Sequence, residues 1–260
     1  MILLKREQIE CCYCEGEQLT FDFVREVIRE YGFAILPEYF DETTTGNMRE
    51  EVLNVLKDGV GRKQKFGDSL VQFSAKDELQ EIGSPTINQC STDRLINSLA
   101  SDFFSPYESE FKGAFMHHDR NKSVYNHHWH WDPGTVIKAF TYLTNIEDGN
   151  GAFHISPKSQ HDAYYRKLYF VPKGRKSYLT FVPETEISLG HAVEEKAGTV
   201  IIFNTNCFHK AGRIDAGRDR IIIRFSYGLD RVKHDTDKLG HVEECINPWY
   251  LSQAYEKPTD

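Results

Sequence analysis

The chain reads as an α+β protein whose functional core is a jelly roll with helices packed on it. Two observations predict this class. Amphipathic helical stretches come first, at 21–32, 41–59 and 91–104. After about residue 113 the texture changes to short β-branched or aromatic runs divided by Gly, Pro, Asn and Asp. Short strands with turns between them suggest a sandwich or barrel, and helices followed by strands give an α+β arrangement.

Each element has its own reason. FDFVREVIREYG (21–32) places Phe21, Val24, Val27, Ile28 and Tyr31 at helical spacing, with Gly32 as a C-cap signal. FAILP (33–37) is a short strand ended by proline. In 41–59, Thr43 to Thr45 offer N-caps, and Met48, Val52, Val55 and Leu56 form the buried stripe. Segment 91–104 begins at Ser91 or Thr92. Residues 60–90 carry no clear period. Strands are expected at 115–119, 136–146, 151–156, 176–182, 198–204 and 220–228. No linker divides the chain. It reads as one domain over 1–260, with a helical part to about 112, a core over 113–228 and a tail over 229–260.

Bulk properties narrow the function. The 260 residues include 27% charged and 40% hydrophobic residues, and the net charge is −8. Such an acidic balance speaks against general nucleic-acid binding. No apolar run approaches the roughly 20 residues that span a bilayer, and no secretory leader is evident, so a cytoplasmic protein without a membrane partner is expected. Cys11, Cys12 and Cys14 crowd together, but their spacing is not that of a structural zinc site. Reduced thiols are the expectation. Nothing in the sequence indicates the oligomeric state.

The segment NHHWHWDPG (126–134) is the densest chemistry in the chain. If it is extended, His128, His130 and Asp132 share one face, and His127, Trp129 and Trp131 the other. His130-x-Asp132 plus a remote histidine makes a two-histidine, one-carboxylate set, which leaves positions open on Fe(II) for a cosubstrate and O2. A cupin-type start from His128-x-His130 is the other metal reading. It lacks a nearby glutamate, because the next carboxylate after Asp132 is Glu147. The remote ligand is expected at His209, where AGTVIIFNTNCFH (197–209) runs from a strand into a turn. Arg220 follows eleven residues later and opens RIIIRFSYG. On that strand Arg220, Ile222, Arg224 and Ser226 share a face. A buried arginine fork suits a carboxylate.

These stretches, with DGNGAFHISPKSQH (148–161), resemble the phytanoyl-CoA dioxygenase (PhyH) family of Fe(II)/2-oxoglutarate oxygenases. The resemblance covers about 113–228. It implies a double-stranded β-helix, a cupin-like jelly roll, with Fe(II) on His130, Asp132 and His209 and with Arg220 on the distal carboxylate of 2-oxoglutarate. Family members often carry Ser or Thr two residues past the distal histidine, where this chain has Ala211. Thr141, Tyr142 or Ser226 is expected to supply the missing hydroxyl. The small-residue substitution that turns related sites to halogenation is absent, since Asp132 is a carboxylate. The activity implied is hydroxylation of a small polar molecule, such as an amino acid or natural-product intermediate. Desaturation, cyclisation or C–P cleavage on the same iron, and a non-oxygenase cupin isomerase or binding protein, are the alternatives.

Substrate contacts are expected from His127, His128, Arg224 and Tyr165. Internal pairing of Arg224 with an acid such as Asp119 is the competing reading. His117 and His118 read as exposed polar residues, with one of them facing the pocket as the other reading, His154 and His161 as structural ones, and Trp129 and Trp131 as core. Tyr164 to Lys167 belong to an excursion suited to a lid, and an NPWY element in the tail is expected to pack on the barrel mouth.

Overall fold

The first strand, β1 (Ile2–Leu4), leads through short 3-10 turns to helix α1 (Phe21–Tyr31). The Thr20 hydroxyl accepts from the Phe23 amide at 3.3 Å, and Gly32 ends the helix in the left-handed region (φ 86°). Val24, Val27 and Ile28 are buried. The chain turns at once into β2 (Phe33–Leu36), all of it buried. Helix α2 (Glu42–Asp58) is capped by the Asp41 carboxylate, which accepts from the Thr44 amide at 2.7 Å. This corrects the expected Thr43–Thr45 cap; a carboxylate also meets the positive end of the helix dipole. This computed structural model describes residues 1–120, 128–132, 136–163, 166 and 180–229.

The stretch without a clear period holds a hairpin, β3 (Arg62–Phe66) and β4 (Ser69–Ala75), then α3 (Lys76–Glu81) and α4 (Pro85–Ser91). The helix expected from Ser91 starts later. Asp93 caps α5 (Arg94–Phe104) by accepting from the Ile96 amide at 3.0 Å. The remaining strands are β5 (Ser109–Arg120), β6 (Ile137–Tyr142), β7 (Phe153–Ile155), β8 (Leu189–Val193), β9 (Val200–Asn204), β10 (His209–Ala211) and β11 (Asp219–Leu229).

They form a seven-stranded sheet in the order β2-β9-β6-β11-β5-β4-β3 and a four-stranded sheet in the order β1-β8-β7-β10. From β8 onward consecutive strands alternate between the sheets, β8 and β10 in the small one and β9 and β11 in the large one, as in the winding of a jelly roll. The N-terminal part is therefore not only helical. It lends β1 to the small sheet and β2, β3 and β4 to the large one. Of the expected strand at 176–182, residues 176–179 lie outside the described residues, and Phe181 makes only a bridge to His130.

Register decides what faces what. Arg220, Ile222 and Arg224 lie opposite Asp119, His117 and Phe115 on β5. Ile222, Arg224 and Ser226 lie opposite Tyr142, Phe140 and Lys138 on β6. Directly paired residues share a face, so this whole set looks toward the small sheet. The other face packs on α2, α3 and α5. Its Ala114, Met116 and Ala139 join the main core with Ile96, Leu99 and Phe103 of α5.

Candidate metal centre

Backbone pairing builds the centre. His130 and His209 exchange both hydrogen bonds, with His130 N to His209 O at 3.0 Å and the reverse at 2.8 Å. The Asp132 amide donates to Thr205 O at 3.0 Å. This seats His130 and Asp132 beside the first residue of β10. On the reverse side Trp129 and Trp131 are buried with Ala163, Val182, Ile187 and Phe208, as expected of core residues. A face that alternates between ligands and tryptophans fixes the register, because a slip of one residue would expose both indoles.

The side chains converge. The imidazole centroids are 4.3 Å apart, and Asp132 Oδ1 lies 4.0 Å from His130 Nε2 and 3.9 Å from His209 Nε2. One ligand atom from each lies within 4.8 Å of the others. Each imidazole is held by the carbonyl two residues before it: His130 Nδ1 donates to His128 O at 2.8 Å, and His209 Nδ1 to Cys207 O at 2.7 Å. A carbonyl only accepts, so Nδ1 carries the proton and the Nε2 lone pair points at the centre. Burial pushes both histidines below their ordinary pKa, His209 the further, with the neighbouring His130 adding to its shift. Neutral imidazoles and an ionised carboxylate are the protonation states a divalent metal needs, so the donor set fits.

Lys138 was not anticipated as a site residue. It is 8% exposed, and its ammonium pairs with Asp132 Oδ2. Burial alone would raise the Asp132 pKa. The Lys138 charge and the two imidazoles outweigh it and hold the carboxyl well below its usual range. Oδ2 thus faces the ammonium and leaves Oδ1 toward the imidazoles. The available signal was a lysine inside the apolar run VIKAFTYL.

Deeper in the barrel, Arg220 is 3% exposed and its fork is already gripped. Nε and Nη2 donate to Asp119 Oδ2 at 3.2 and 2.5 Å, and Nη1 donates to Gly151 O. Burial would raise the Asp119 pKa, but Arg220 and His117 hold it down. Asp119 therefore partners Arg220 and not Arg224. His117 and His118 are buried at 2% and 8% exposure, which corrects the exposed reading in favour of the one that turns one of them to the pocket. His117 shares a cavity with His130, His209, Arg220 and Arg224. His118 Nε2 meets Asp219 Oδ2 at 2.8 Å.

The hydroxyls expected beside Arg220 fall differently. Thr141 pairs with Ile223 and so lies on the opposite face of the sheet. Tyr142 is on the site face, but its hydroxyl donates to Val193 O at 2.8 Å and accepts from the Phe153 amide at 2.9 Å, joining the two sheets. Ser226 is on the site face beside Lys138. It lies six residues from Arg220, about 20 Å along a strand, too far to share one carboxylate with it. His128 is exposed at the rim, its ring edge-on to Phe181 at 5.7 Å. His154 Nδ1 donates to Ala152 O at 2.9 Å, a structural bond. His127, Tyr164, Tyr165, Lys167 and the NPWY element lie outside the described residues. Cys11 is exposed and Cys12, Cys14, Cys90 and Cys207 are buried, all of them free thiols.

A cupin-like jelly roll carrying two histidines and an aspartate at one end of the barrel defines the class: a mononuclear metal centre of the facial-triad type. The phytanoyl-CoA dioxygenase (PhyH) family model matches residues 28–222, and the chain belongs to that family. The fold also matches solved structures. The epimerase SnoN in complex with Fe3+, alpha ketoglutarate and nogalamycin RO aligns with a TM-score of 0.60 at 16% identity, covering 80% of this chain and 83% of that one. HygX from Streptomyces hygroscopicus, with nickel, 2-oxoglutarate and hygromycin B bound, aligns at 0.59 and 15%, covering 82% and 88%. The carbocyclase SnoK from nogalamycin biosynthesis aligns at 0.56 and 14%, covering 82% and 89%. No curated protein sequence matches the chain. Among the described residues, no helix is long and apolar enough to cross a membrane.

Proposed function

We propose that this chain is an Fe(II)- and 2-oxoglutarate-dependent dioxygenase that hydroxylates a C–H bond of a small polar molecule. The observation that carries the reading is the convergence of His130 Nε2, His209 Nε2 and Asp132 Oδ1, with each Nδ1 tied to a carbonyl. A metal held by these three ligands would keep positions open for a chelating keto acid and O2. The balance is one substrate C–H, one 2-oxoglutarate and one O2 in, and one C–OH, one succinate and one CO2 out. One oxygen atom of O2 ends in the alcohol and the other in the new succinate carboxylate, whose second oxygen is the former keto oxygen. Bound iron supplies the activation of dioxygen.

The protein's own residues do the rest. Asp119 and Gly151 hold the Arg220 guanidinium in one orientation, and its remaining N–H groups would receive the distal carboxylate of 2-oxoglutarate. Lys138 steers the Asp132 carboxylate. Phe140, Phe153 and Phe203 wall the space around His209 and exclude water, with the Phe153 and Phe203 ring centroids 5.7 and 5.1 Å from that of His209.

The test is anaerobic. Fe(II) followed by 2-oxoglutarate should give the weak visible charge-transfer band of a chelated keto acid, and His209→Ala should lose it. Iron binding without a band would overturn the reading and favour a non-oxygenase cupin. Related structures include an epimerase and a carbocyclase, so the product is analysed by mass and stereochemistry: a gain of one oxygen marks hydroxylation, a loss of two hydrogens marks desaturation or cyclisation, and an unchanged mass with an inverted centre marks epimerisation.

A further inference from the structure

Four cationic side chains come near the metal cavity, and they differ in what neutralises them. Lys138 pairs with Asp132, Arg220 pairs with Asp119, and Lys210 lies 4.0 Å from Glu184. Arg224 has no carboxylate partner among the described residues. It is 8% exposed, lines the same cavity as His130 and His209, and its Nε has no hydrogen-bond partner. Its guanidinium carbon lies 4.3 Å from the centroid of the Phe115 ring, which holds the cation over that aromatic face. A charged donor so far from water calls for an anion.

The same sheet face continues past β5 onto the hairpin. Phe115 pairs with Phe73 and His117 with Val71, while Phe73 and Val71 pair in turn with Arg62 and Gln64. Phe66, Val71, Phe73 and Phe115 line a groove of about 290 Å³, with Arg62 and Gln64 at its rim. Phe73 and Phe115 are 4.7 Å apart, centroid to centroid. A cavity of about 150 Å³ accepts a benzene ring, so an aryl group fits. Two strand spacings, or about 10 Å, separate β11 from β4. A molecule with its acid on Arg224 and its ring against Phe73 spans that gap.

We propose that the substrate is an aryl-bearing carboxylic acid. Arg224 would hold its carboxylate beside the metal centre, and the β3–β4 hairpin would give its ring an aromatic platform. A single guanidinium without a carboxylate partner suits a carboxylate better than a phosphate, because the other cations near the site are already paired. Arg224 and Phe73 would then be specificity-determining residues, and the oxidised carbon would lie at the acid end of the molecule. This rests on the oxygenase reading above.

Calorimetry on the full-length protein separates the two. Phenylacetate, 3-phenylpropionate and indole-3-acetate are titrated against metal-free protein, each beside its uncharged amide, with and without saturating 2-oxoglutarate. At least one acid should bind at least about 30-fold more tightly than its amide, the scale expected for a desolvated charge pair. Arg224→Gln should remove that contrast, Arg224→Lys should keep only part of it, and Phe73→Ala should weaken acid and amide alike. The Fe(II)/2-oxoglutarate band should survive in Arg224→Gln with unchanged 2-oxoglutarate affinity. Absence of binding by all three acids, an unchanged contrast in Arg224→Gln, or displacement of the acid by 2-oxoglutarate would overturn the proposal. Loss of the band in the wild type, by contrast, overturns the oxygenase reading without touching the acid-against-amide comparison.

Discussion

Arg220 and Asp119 are 3% and 0% exposed, and their pairing dominates the barrel interior. Removing one partner of a buried pair strands the other charge and typically costs about 3–5 kcal/mol. Arg220→Gln should therefore lower stability by roughly 3 kcal/mol as well as weaken 2-oxoglutarate binding. Adding Asp119→Asn should restore much of the stability and none of the cosubstrate affinity. Urea melts and anaerobic titration check the two effects separately, and restored affinity in the double variant would remove Arg220 from the cosubstrate site. At this scale the ligands were legible because HxD, the distal histidine and the arginine keep a fixed order. The cosubstrate hydroxyl was not. Alternation along β11 put Arg220, Ile222, Arg224 and Ser226 on one face without knowledge of any partner strand. Whether Thr141 or Tyr142 of β6 joins that face depends on register with β11, which no local pattern contains. Lys138 was hidden for the same reason.

The elements that position the site lean on a few tight turns. Gly32 ends α1 with φ 86°, and a Cβ there would sit 2.1 Å from Cys207 Sγ and 2.6 Å from Gln160 Oε1. Cys207 carries the carbonyl that holds His209 Nδ1. Gly32→Ala should combine left-handed strain of about 1–2 kcal/mol with overpacking of about 1–3 kcal/mol. It should also disturb metal binding, although Gly32 belongs to a helix cap remote in sequence from every ligand. Thermal melts and Fe(II) titration of this variant check the link; a destabilised protein with wild-type iron affinity would break it. The long strands were readable from their β-branched runs. The hairpin β3–β4 was not, because three of the five residues of RKQKF are charged, two of them adjacent, and it reads as polar chain. Only its place at the end of the large sheet gives those charges an edge to protect. The strands β8 and β10 were missed because each is short and takes its identity from its neighbour, β10 from β7 across His209 and Ile155.

At the scale of the whole molecule, the N-terminal strand is joined to the edge of the small sheet beside a neutral histidine. β1 pairs in parallel with β8, and His191 of β8 is 3% exposed. Its Nδ1 donates to Leu4 O at 2.9 Å, and its Nε2 meets the Tyr13 hydroxyl at 3.0 Å, an arrangement that neutral imidazole satisfies completely. Burial pushes the His191 pKa below 6.5, and Arg6 pushes it the same way, against the opposing bond to Leu4. His154 is shifted in the same direction, also chiefly by burial. The sign follows from proton counts. Below about pH 6.5 the unfolded chain takes up protons at these sites that the folded chain refuses, so acid favours unfolding. The stabilisation is complete above about pH 6.5 and declines as the pH falls toward the folded-state values. The metal-free protein should melt at a lower temperature at pH 5.5 than at pH 7.5. His191→Gln, which keeps a donor and an acceptor but cannot titrate, should be less stable at pH 7.5 and should lose part of that pH dependence. If His191→Gln kept the full wild-type slope, the N-terminal strand would not be coupled to His191 ionisation, and the acid sensitivity would have to come from other histidines, His154 among them.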